Sequence, residues 1–107
     1  MQEQRHPSGV LIFRPEGPAL DAGHAEALKH AFDTRIGEGK HEFCVDFHAI
    51  ETMDSTGLAV LIAALRQLDG RGKIRLCSVQ PAVRTLLEMT HMTRMFPVLD
   101  SLDSLDS

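Results

Sequence analysis

The sequence predicts an α/β fold, a four- to five-stranded mixed and largely parallel sheet with helices mainly on one face. Three observations carry that expectation. Short runs rich in β-branched and aromatic residues alternate with stretches of helical periodicity, the order that parallel strands joined by helical crossovers produce. Turn-forming clusters separate them: Pro15 with Gly17, GEGKHE at 37–42 and DGRGK at 69–73. In the run Phe43 to Ile50, Phe43, Val45 and Phe47 point one way and Cys44, Asp46 and His48 the other. One side of that strand is therefore expected to be less buried, which puts the helices on the opposite side.

Each element has its own signal. GVLIFR, residues 9–14, reads as the first strand and is closed by Pro15 and Gly17. Asp21 is an N-cap candidate for a helix whose stripe is Ala25, Leu28, Ala31, Phe32 and Ile36. After strand 43–50, Leu58, Leu61, Ile62 and Leu65 recur at i, i+3, i+4 and i+7, an amphipathic helix running from Gly57 into DGRGK. IRLCSV, residues 74–79, is the next strand. Pro81 suits a first helical position, with Val83, Leu86, Leu87 and Thr90 as the apolar face. Residues 95–99 read as a last short strand or extended coil, and LDSLDSLDS at 99–107 as a frayed tail or a short helical turn. The 107 residues make one domain, with a core over about 9–99 and a tail at 100–107.

The totals exclude several function classes. A composition of 43% hydrophobic and 24% charged residues is ordinary globular usage, and the net charge of -4 argues against a phosphate-backbone binder, so nucleic acid is not an expected partner. The longest apolar stretch, Gly57 to Leu65, is far shorter than the roughly 20 residues of a membrane crossing. The polar start, Met1 to Ser8, has no signal-peptide core, so a cytoplasmic address is expected. Cys44 and Cys77, 33 residues apart without CxxC spacing, read as buried free thiols. No cofactor or metal is expected: His24 and His30 are i, i+6 and share no helix face, and read as solvated. Among the methionines, Met89 is assigned to the core, while Met92 and Met95 follow the helix end.

The functional signal is concentrated in IETMDSTGLAVL, residues 50–61, where Asp54, Ser55, Thr56 and Gly57 join a strand-like run to a helix. One of the three polar residues caps the helix, because a side-chain oxygen satisfies an otherwise unpaired N–H. A cap needs one residue; the surplus, with a glycine that permits close approach, indicates a contact site. A helix N-terminus carries about half a positive charge and tolerates a phosphate, so a phosphorylated Ser55 would gain roughly -1.5 to -2 charges without unfolding the chain. A partner pressed against that charge would be repelled or forced to desolvate it, and a penalty of about 3 kcal/mol lowers affinity roughly a hundredfold.

MDSTGLAVLIAAL, preceded by FCVDF and followed by VQPAVRTLLEM, resembles the STAS domain and, within it, the bacterial anti-sigma factor antagonists; GPALDAGHAEALKHAF resembles the family's G-x-L-D approach to its first helix. The resemblance runs from about Val10 to Leu99. It implies that Ser55 is the phosphoacceptor of an anti-sigma factor with a histidine-kinase-like ATPase fold, that the unphosphorylated protein binds that factor and frees a sigma factor, and that a phosphatase resets the switch. Asp54 then belongs at the phospho-site and Asp21 at the neighbouring loop rim, with Met53, Thr56, Gly57 and Leu58 completing the partner-binding set. The chain departs from relatives in Pro15 and Pro18, where they continue a hairpin strand, in His91, where they often have a helix-ending glycine, in Thr56 as a second hydroxyl, and in a short tail. A monomer is the default.

Two rivals remain. A constitutive STAS adaptor, in a phospholipid-transport ATPase complex or on an anion transporter, would often lack the phosphorylatable serine; Ser55, a start at Met1 and the closing FPVLDSL favour the antagonist. An enzyme built on Ser55 and a histidine has no G-x-S-x-G elbow to support it, so no catalysis is expected.

Overall fold

The computed structural model describes residues 1–106. In chain order it has strands β1 (Gln2–Arg5), β2 (Leu11–Arg14) and β3 (Ala19–Leu20), helix α1 (Ala22–Gly37), strands β4 (Glu42–Asp46) and β5 (Thr52–Met53), helix α2 (Ser55–Leu68), strand β6 (Lys73–Cys77), helix α3 (Pro81–Met89) and strand β7 (Val98–Leu99). Short 3-10 segments cover Met92–Arg94 and Leu102–Asp106. Five strands form one sheet in the order β1-β2-β4-β6-β7. Only the β1–β2 pair is antiparallel; the others are parallel, bridged in turn by α1, α2 and α3. β3 and β5 form a separate two-stranded parallel sheet. The mixed, largely parallel architecture read from the sequence is the one observed.

All three helices pack on one face. Ala25, Leu28 and Phe32 of α1, Val60, Leu61, Ala64 and Leu68 of α2 and Val83 and Leu87 of α3 meet Leu11, Phe13, Phe43, Val45, Ile74 and Leu76 of the strands. Phe13, Phe32 and Phe43 contact one another with ring centroids 5.0 to 5.5 Å apart, two of the three contacts edge-on, the arrangement that aromatic quadrupoles favour.

The opposite face, expected from the alternation in strand 43–50 to be the less buried one, is itself covered as far as Asp46, and the reading of Cys44 as a buried thiol holds. Cys44 is fully buried and Asp46 is 5% exposed. A second, smaller cluster of Val10, Ile12, Cys44 and Cys77 is covered there by Leu99, Leu102 and Leu105. The cover explains the triplet repeat at the end of the sequence. A 3-10 helix has about three residues per turn, so side chains at i and i+3 eclipse, and Leu102 and Leu105 point the same way onto the sheet while Asp103 faces water. β4 also ends earlier than expected, at Asp46, whose carboxylate accepts from the His48 N–H (3.0 Å) and from Arg14 Nε (3.2 Å), turning the chain away from the ladder.

β1 has no counterpart in the sequence reading. Its four residues are all exposed, so no apolar pattern marks it; pairing with β2 and the ion pair of Glu3 with Arg35 (2.7 Å) hold it in place. α3 starts at Pro81 as expected, but Met89 is 75% exposed and is not a core residue: two positions past Leu87, it falls off the Val83–Leu87 stripe. Met92 packs partly on the core and Met95 is largely exposed.

His91, just past the end of α3, is left-handed (φ 61°, ψ 21°), a conformation that costs a residue with a Cβ roughly 1 to 2 kcal/mol. His91→Gly should therefore raise stability by about 0.5 to 1 kcal/mol after the greater entropy of an unfolded glycine is subtracted. Urea denaturation reads this directly, and an unchanged midpoint would mean that the histidine's contacts offset its backbone strain.

Candidate functional site

The two-stranded sheet builds the site. Its register pairs Ala19 with Thr52 and Leu20 with Met53, so the next residue of each strand, Asp21 and Asp54, stands at the mouth of a helix beside its counterpart. Both are N-caps with nearly the same backbone, φ -97°, ψ -172° at Asp21 and φ -100°, ψ -176° at Asp54. Asp21 Oδ1 accepts from the His24 N–H at 3.2 Å; Asp54 Oδ1 accepts from the Thr56 and Gly57 N–H groups at 2.9 and 3.1 Å. Two helix N-termini and their cap carboxylates are thus brought to one edge.

Of the three capping candidates at the second junction, Asp54 does the capping. Asp54→Ala should cost about 1 kcal/mol, within the usual 0.5 to 2 kcal/mol for a lost cap, as measured by denaturant unfolding. A smaller loss would mean that Ser55 or Thr56 takes over. Ser55 is the first residue of α2, exposed, and its hydroxyl has no hydrogen-bond partner among the described residues. Thr56 is likewise exposed, Met53 and Leu58 are half-buried against the core, and Gly57 is buried. The close approach that Gly57 permits is made by this chain itself: a Cβ there would lie 2.8 Å from the Leu20 carbonyl oxygen and 2.9 Å from Met53 Cγ.

The backbone N–H of His24 is the main cause that holds the Asp21 carboxyl below its ordinary value, opposed by desolvation and aided by the His24 ring. Because the folded value is depressed, this contribution to stability is present above the unfolded value near 3.8 and is lost as pH falls through the folded one. His24 is not simply solvated: its Nδ1 lies 3.0 Å from the Ala19 carbonyl oxygen and 3.2 Å from Asp21 Oδ1, tying the start of α1 to β3. His30 is exposed, and among the described residues no three His, Cys, Asp or Glu side chains are grouped to hold a metal.

Beside Thr56 a groove of about 280 Å³ runs between α1 and α2, floored by Ala25 and Val60 and edged by Ala59, Ala63 and Lys29. A sequence model of the STAS domain matches residues 2–105. The chain belongs to the STAS domain family. The anti-sigma F factor antagonist of Paenibacillus polymyxa is 31% identical over 90 residues, which is 82% of this STAS domain and 76% of that protein. The Bacillus cell fate determinant SpoIIAA, solved in its phosphorylated form, shares the fold with a TM-score of 0.77 at 20% identity, covering 98% of this chain and 96% of that one. A sulfate transporter family protein from Wolinella succinogenes superimposes with a TM-score of 0.76 at 26% identity, over 91% of this chain and 81% of the other. As a STAS domain the protein is a binding module and not an enzyme. The sequence reading of this STAS domain overlooked the groove, although Ala59 and Ala63, one helical turn apart, signal a helix face that bulky side chains leave open.

Proposed function

We propose that the protein is a phosphorylation-switched antagonist of an anti-sigma factor. The unphosphorylated form binds an anti-sigma factor with a histidine-kinase-like ATPase fold and so releases a sigma factor; that partner phosphorylates Ser55, which ends binding, and a phosphatase restores it. Asp21, Met53, Asp54, Thr56 and Leu58 form the contact edge, with Gly57 as its buried support. The observation that carries this reading is the division of labour at α2: Asp54 caps the helix, leaving the Ser55 hydroxyl exposed and uncommitted. A phosphate there joins two carboxylates on one edge, making that edge strongly anionic to any partner. The relative named an anti-sigma F factor antagonist supports the partner class. The switch operates in the cytoplasm, on a monomer.

The likeness to a sulfate transporter family protein supports a second reading, a constitutive adaptor on a transport complex. Incubating the purified protein with ATP and lysate from its own source, mapping phosphates by mass spectrometry and recovering bound proteins separates the two. A single phosphate on Ser55, with the kinase retained only by the unmodified form, is the expected result. An unmodified protein holding a transporter subunit would replace the first reading with the second.

A further inference from the structure

The proposed switch makes no use of the two thiols. Cys44 of β4 and Cys77 of β6 are fully buried and free, and their Sγ atoms are 3.5 Å apart. They belong to the small cluster on the face away from the helices, and Leu99, Leu102 and Leu105, each only half-buried, are packed over it. Short 3-10 segments have poor hydrogen-bond geometry, and segments with few buried contacts open far more often than the whole domain unfolds.

We propose that Cys44 and Cys77 form a reversible disulfide when exposed to a hydroperoxide, with the segment Leu102–Asp106 as the cover that sets the rate. Opening of the cover admits the peroxide. The Cys44 thiolate attacks one peroxide oxygen, the O–O bond breaks, and the thiol's proton leaves with the departing oxygen as water or an alcohol. The Cys77 sulfur then attacks the resulting sulfenic acid, the S–O bond breaks, and the hydroxide leaves with the Cys77 proton as water. Two thiols lose two electrons and two protons, and the peroxide takes up both. The hydrogen bond between the thiols favours this order, lowering the pKa of Cys44 and, together with burial, raising that of Cys77.

Register makes the bond reversible. Cys44 is opposite Arg75 and Cys77 opposite Asp46, so the thiols occupy diagonal positions on adjacent strands. Adjacent parallel strands lie about 4.8 Å apart and two residues advance about 6.6 Å, so diagonal Cα atoms are about 8 Å apart, whereas disulfides close over about 4.4 to 6.8 Å. Closure must shorten that diagonal by a local slide or bend of β4 against β6, at the expense of ladder hydrogen bonds, and a strained disulfide is readily reduced. Both strands lead toward the Ser55 edge, and the loop after β6 touches the loop after β4 where Gln80 Nε2 donates to the His48 carbonyl at 2.7 Å.

The test treats the reduced full chain with hydrogen peroxide under native conditions, quenches with N-ethylmaleimide and follows intact mass and peptide maps. The expected product lacks two hydrogens, carries a Cys44–Cys77 cross-link and reverts in mild glutathione; Cys44→Ser abolishes it. Leu102→Ala with Leu105→Ala should speed cross-linking by about tenfold through more frequent opening, and Leu105→Ala alone by less, should the double variant fail to fold. Thiols that stay reduced until the chain is unfolded, a bond that glutathione leaves intact, or a cross-linking rate unchanged in a folded cover variant would each overturn the proposal.

Discussion

Ser55→Ala should leave the protein folded and, on the proposed switch, able to bind an anti-sigma factor whether or not ATP is present, while the phosphorylated parent loses roughly a hundredfold in affinity, about 3 kcal/mol. The small cost of the substitution follows from the cap. Asp54 satisfies the N–H groups of Thr56 and Gly57, so removing the neighbouring hydroxyl orphans no donor, and alanine is the better helix former. Stability should stay within about 0.5 kcal/mol of the parent. The large cost of phosphorylation follows from location: the phosphate adds roughly -1.5 to -2 charges next to the cap carboxylates, on a surface that binding must desolvate. Ser55→Glu brings one charge and fewer acceptor oxygens, so it should weaken binding less than the phosphate does. Calorimetric titration of the kinase against each form measures all three. Loss of binding by a well-folded Ser55→Ala variant would show that the hydroxyl itself is a contact, and an unweakened Glu variant would move the regulated surface elsewhere.

The largest effect on stability is expected from Phe32→Ala, about 3 to 5 kcal/mol. Phe32 is 1% exposed and is the only member of the aromatic trio contributed by a helix, with its ring 5.0 Å from Phe13 and 5.2 Å from Phe43. Truncation removes its burial and its edge-on contacts and leaves a cavity between α1 and the sheet, which the flanking strands are too rigid to fill. Domains of this size have about 5 to 15 kcal/mol in all, so a fifth or more of the total is at stake. The melting temperature should fall by at least about 12 °C. Phe32→Leu keeps most of the volume and should cost less than half as much. A loss below about 1 kcal/mol for the alanine variant would contradict the packing described.

The parts of the fold legible in the sequence are those whose apolar pattern outlasts one turn or one pleat. α1 and α2 announce themselves through Leu28 with Phe32 and through Leu61 with Leu65, and the sheet through its regular alternation with helices. What escaped has physical reasons. β1 has no buried residue to produce a pattern; it exists because the β2 edge accepts a partner. β3 and β5 are two residues each, below any periodicity, yet they bring Asp21 to Asp54. The second buried face of β4 was only half legible: Cys44 reads as a buried thiol by type, but Asp46 and His48 on the same side mark a polar face, and nothing local shows that Leu102 and Leu105 fold over that side or that Arg14 pairs with Asp46. At the site, Ser55 and its setting were readable from a local motif, whereas the choice of Asp54 as cap needed coordinates, because Asp, Ser and Thr are near-equal candidates by type.

The two borders of the main sheet bear on how the protein behaves at high concentration. β7, at one border, is only two residues long; β1, at the other, reads Gln2, Glu3, Gln4, Arg5 and has no apolar side chain. Neither border offers another copy a long, sticky ladder to extend, and Glu3 and Arg5 would have to be stripped of water before a second strand could join. Short or charged borders of this kind guard a sheet against polymerising edge to edge.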